Sequence, residues 1–93
     1  MHAIKIELTL TPSGGRHLAF SKEILEKVHV YRRTVAEGNA WEQVAVNARS
    51  PFVDTQQFPP GTTLEYHVQH FTQQDAYVGH SNIVRTTVGP PHP

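Results

Sequence analysis

Histidine is the residue type best placed to do chemistry in this chain. There are seven in 93 residues, beside eight acidic groups and no cysteine. The missing thiols exclude zinc–thiolate sites, disulfide frameworks and thiol nucleophiles. His67 and His70 are three positions apart, but the residues around them alternate as a strand does, and in a strand such positions face opposite sides. No H-E-x-x-H occurs and no acid separates the two, so no metal site is expected. His2 and His92 lie near the termini and add nothing to them.

Gly79-His80-Ser81-Asn82 begins like a nucleophile elbow, but Ile83 stands where the closing glycine belongs, and the context is loop to strand. A turn in which Ser81 bonds locally fits better. The acids Glu7, Glu23, Glu26, Glu37, Glu42, Glu65, Asp54 and Asp75 are scattered. General acid–base work needs two carboxylates in one pocket, which a small domain filled by its own core does not offer. Asp54, beside proline-rich turns, is expected to hold a backbone N–H. The chain therefore reads as non-catalytic, without cofactor or metal.

The elements that position these residues are strands. Ile4, Ile6, Leu8 and Leu10 alternate with polar residues. Thr11-Pro12-Ser13-Gly14-Gly15 is a turn, and His17–Phe20 a second strand with Leu18 and Phe20 inward. Residues 21–27 read as a structured loop, 28–33 as a third strand and 36–39 as a turn. Trp41–Val46 is a fourth strand at an edge and Phe52–Thr55 a short fifth. After Pro59-Pro60-Gly61, Leu64, Tyr66 and Val68 alternate in a sixth. Residues 72–80 read as a long loop, and Asn82–Val88 as the last strand. Seven short strands predict an all-β, seven-stranded β-sandwich over residues 1–88, with 89–93 a Gly/Pro-rich tail or linker. Leu18, Phe20, Val30, Tyr66 and Val68 are expected in the core. Arg32 shares the inward side with Val28 and Val30, so its head is expected near a strand end, in water.

Composition narrows the partners. Eight Lys+Arg against eight Asp+Glu leave no formal charge, so nucleic acid is not expected as a partner. No apolar run approaches the length of a membrane span, and no membrane insertion is expected. With its histidines exposed, the chain should gain charge and solubility on acidification, with little loss of fold stability.

One segment carries a resemblance. Phe58-Pro59-Pro60-Gly61-Thr62-Thr63-Leu64-Glu65-Tyr66-His67-Val68 resembles the approach to, and body of, the sixth strand of fibronectin type III domains. Val28-His29-Val30-Tyr31-Arg32 is similar to that family's third strand, and Trp41 stands where an edge tryptophan is common. Gly79-His80-Ser81 is similar to the lead-in to its last strand. Two positions depart: Phe20 replaces a core tryptophan, and Leu64 falls where a tyrosine corner would be. The resemblance implies a divergent member of that immunoglobulin-like type, its first, second and fifth strands facing the third, fourth, sixth and seventh. It implies a spacer or protein-interaction module within a larger surface, secreted or virion-associated protein.

Strand phase then gathers a candidate site. His29, Tyr31 and Arg33 point outward on the third strand, His67 on the sixth and Arg85 on the last. Aromatic plus arginine content is that of binding hot spots. Tyr77, in the predicted 72–80 loop near Ile24 and Leu25, marks a second surface, either a contact or a cap on the core. Another protein or a neighbouring domain is the expected partner. An accessory carbohydrate-binding role is the alternative, with Trp41, Tyr31 and Tyr77 as the rings available for it.

Overall fold

Period-two alternation over most of this chain gives strands with one apolar side, and such strands are stable only when that side is covered. A computed structural model describes residues 4–12, 14–22, 25–35 and 40–89, and meets this demand with two facing sheets. One holds β1 (Ile6–Leu10), β2 (Arg16–Phe20) and β5 (Phe52–Asp54), in the order β1-β2-β5. The other holds β3 (Lys27–Thr34), β4 (Glu42–Ala45), β6 (Thr63–Phe71), β7 (Tyr77–His80) and β8 (Val84–Thr87). Its order is β4-β3-β6-β7, with β8 also on β6, and every pairing is antiparallel. The described residues form an all-β sandwich without a helix. The turn expected at 36–39, Ile24 and the tail beyond Gly89 lie outside them.

The described residues form eight strands where seven were expected. Residues expected as a loop supply β7, which covers Gln69–Phe71 of β6, and β8 covers Thr63–Tyr66 of the same strand. The ladder lapses between them because a side chain takes a backbone group's place. Ser81 Oγ accepts the Val68 N–H at 3.0 Å, while Ser81 N donates to Val68 O at 2.9 Å. Asn82 then leans across to β1, its Oδ1 accepting from Ile6 N at 2.9 Å and its Nδ2 donating to Ile6 O at 3.3 Å. The hairpin after β1 closes on Thr11, whose Oγ1 accepts from Gly15 N at 2.8 Å. A Cβ on Gly15 would stand 2.9 Å from that oxygen, so the turn needs glycine there.

The core is Ile6, Leu18, Phe20, Val28, Val30, Ala48, Leu64, Tyr66 and Val68, and includes all five residues expected there. Leu10, the outer end of the first alternation, is exposed. At one end the core turns polar. Arg16 of β2, Arg32 of β3, Asp54 of β5 and Tyr66 of β6 are all buried. Arg32 Nη1 donates to Asp54 Oδ2 at 2.9 Å, the Tyr66 hydroxyl donates to the same oxygen, and Arg16 Nε donates to the Tyr66 oxygen at 2.7 Å. Arg32 thus corrects the expectation that its head reaches water. It lies inward as its phase requires, but its charge is met by Asp54, and by Glu42 and Gln56 at 2.9 Å each. The backbone N–H expected on Asp54 is that of Gln56, at 3.2 Å. Burial opposes ionisation of Asp54, but hydrogen bonds from Tyr66, Arg32 and Gln56 N outweigh it and hold the carboxyl below its ordinary range.

Candidate functional site

β6 lies centrally in the larger sheet, and its outward residues Glu65, His67, Gln69 and Phe71 form a line about 20 Å long at strand spacing. The register sets His29 opposite Gln69, Tyr31 opposite His67 and Arg33 opposite Glu65 on one side, with Arg85 opposite Glu65 on the other. The five outward residues expected from strand phase therefore do share one face. The structure divides them among three stations.

The first station is ionic. Glu65 Oε1 accepts from Arg33 Nε at 2.8 Å, and Glu65 Oε2 accepts from Arg85 Nη2 at 2.7 Å. Both carboxylate oxygens are occupied and the residue is buried. The hydrogen bonds of Arg85, then of Arg33, lower its pKa against the opposing effect of burial. Two guanidinium groups on one carboxylate leave the station with one positive charge, and the Arg85 side chain is 62% exposed.

The second station is aromatic. Tyr31 stacks on His67 at 5.1 Å between centroids, and Trp41 meets His67 edge-on at 4.3 Å. Arg33 lies over the Trp41 ring at 4.6 Å. His67 is consequently only 8% exposed, which corrects the expectation of a solvent-facing histidine. Its phase is outward, but the neighbouring rings cover it. Its Nδ1 has no hydrogen-bond partner among the described residues, and Nε2 lies 3.2 Å from Gln69 Nε2. Desolvation, then the neighbouring His80 and Arg33, lower its pKa.

The third station contains Tyr77. Because 77–80 is a strand, Tyr77 pairs with Phe71 and stands on the sheet instead of in a separate loop. Phe71 touches His29 at 4.9 Å and Tyr77 at 5.8 Å, and the Tyr77 hydroxyl is hydrogen-bonded with His80 Nδ1. Tyr77 is exposed, so it does not cap the core, and Leu25 is exposed too. Tyr77 thus joins the outward face through Phe71. Glu65 and Gln69 point outward with His67, as strand phase implies, and Phe71 continues the same alternation to the end of the strand.

His70 faces the opposite way from His67, as strand geometry requires, and is fully buried with Nδ1 3.0 Å from Glu26 Oε1, which corrects the expectation that it faces solvent: its phase points into the core. Among the described residues no three His, Cys, Asp or Glu side chains gather as a metal site. A cleft of about 220 Å³ lies beside Arg32, Glu42, Gln56 and Phe58, where Arg32 already serves Asp54, Glu42 and Gln56. No family model matches this chain, and the comparisons with curated proteins and with solved structures return no match either.

Proposed function

We propose that this chain is a non-catalytic β-sandwich module of fibronectin type III-like organisation that binds another protein, or a neighbouring domain, through the outward face of the larger sheet. The observation that carries this reading is the continuous strip of Arg85, Glu65, Arg33, Trp41, His67, Tyr31, His29, Phe71 and Tyr77. Tyrosine, tryptophan and arginine dominate the centres of protein interfaces. The sheet order supports the family reading, since β1, β2 and β5 face the remaining strands. A carbohydrate platform needs open ring faces. Tyr31 and Tyr77 each stack on a histidine, and Trp41 lies under Arg33, which favours a protein contact.

The test places a photo-crosslinking residue at position 31, with position 53 on the opposite sheet as control, in extract of the source cells. The expected result is one protein adduct from position 31 alone. Excess unmodified chain should compete it away, and a Tyr31→Ala/Arg85→Ala chain with an unchanged fold should not. Equal adducts from both positions, or competition by that double variant, would remove this face from the reading.

A further inference from the structure

The surroundings of His67 favour its neutral form. Where Gln69 Nε2 donates to His67 Nε2, the neutral ring carries its proton on Nδ1, which is buried and has no partner among the described residues. A second proton would lie on Nε2, and the Gln69 carboxamide would have to turn to accept it. Among the described residues, the charged groups around the ring give an imidazolium no counter-charge. β3 presents Arg33, β8 presents Arg85 and β7 presents His80. Among the described residues Glu65 on β6 is the carboxylate of this face, and both its oxygens are occupied by the two arginines. The residue before β4 that covers His67 is the uncharged Trp41, and Gln43 of β4 donates to the Tyr31 hydroxyl at 3.2 Å. Trp41 already carries one cation on its ring, Arg33, so a second beside it adds repulsion.

We propose that protonation of His67 releases Trp41 from the sheet, so that the binding face is closed and ordered near neutral pH and rearranges in mildly acidic medium. The release belongs to the free protein. Its consequence for a partner rests on the function proposed above, and the experiment below needs no partner, so the two can fail separately.

Trp41 is the single tryptophan of the chain, and its fluorescence reports on itself alone. Acrylamide quenching of Trp41 should rise severalfold between about pH 7.5 and about pH 5, while far-ultraviolet dichroism stays constant. The His67→Phe chain keeps a ring in the stack and removes the proton, so its quenching should not change with pH. Unchanged quenching in the wild type, decreased quenching at low pH, or the same rise in His67→Phe would overturn the proposal. If His67→Phe does not fold, proton NMR of the wild type decides. The Trp41 indole N–H shift must follow the titration of His67; if it follows another imidazole, the proposal fails.

Discussion

Asp54 shows how much one small residue organises. It accepts from Tyr66, Arg32 and Gln56 N, and Arg16 Nη2 stands 3.6 Å away, so one carboxylate ties together four strands of both sheets. Removing one member of a buried ionic set leaves uncompensated charge. Asp54→Ala should destabilise the chain by about 3–5 kcal/mol, read by denaturant unfolding. Tyr66→Phe keeps the ring volume and loses only the hydroxyl between Asp54 and Arg16, for about 1–3 kcal/mol. If both variants unfold at the wild-type midpoint, the cluster does not stabilise the fold. Phase alone makes Arg32 and Tyr66 inward-facing in the sequence. That Asp54 meets them there was not legible, because the contact joins strands of different sheets far apart in the chain.

At the scale of elements, alternation carried most of the reading. Leu18, Phe20, Val30, Tyr66 and Val68 are buried because each lies on the inward phase of its strand. The same phase rule assembled the outward face. It failed at 72–80, where Tyr77-Val78-Gly79-His80 shows no apolar alternation and Val78 is exposed, so its strand character comes from pairing with β6. Burial of His67 escaped for a similar reason: its covering residues come from other elements. The gap between β7 and β8 makes a direct test. Ser81→Ala removes the acceptor of a buried N–H, and should cost about 1–3 kcal/mol and speed hydrogen exchange at the Val68 amide. Unaltered exchange there would show that the amide has another partner. Gly15→Ala forces a Cβ against Thr11 Oγ1 and to 3.2 Å from Val53 Cγ1, and a loss of about 1–3 kcal/mol is expected in thermal melts.

For the molecule as a whole, acid should act in two steps. Exposed histidines alone would give only added charge and solubility, but His67 is buried with a lowered pKa. Below about pH 6.5 the unfolded chain takes a proton that folded His67 resists, so stability falls as pH drops through that range. Asp54 and Glu65 act lower. Their folded values are depressed, so their stabilisation is present above about pH 4 and is lost as pH falls below it. Melting temperature against pH should therefore show two descents. The His67→Phe chain should lack the upper one, and a single descent below about pH 4 in the wild type would mean that His67 protonates freely in the fold. With a sequence pI near 7.1, light scattering should be strongest close to neutrality and weaken as the histidines charge.

Asn82 has a consequence of a different kind. A carboxamide offers the same donor and acceptor as a peptide unit, and Asn82 presents both to Ile6 as a neighbouring strand would. β1 is the border of its sheet, and its apolar alternation is a ready template for another copy. One side chain thus stands in for a missing strand at the point where such growth would begin, and Asn82→Leu should shorten the lag before fibrillar aggregation while leaving the core of the sandwich intact.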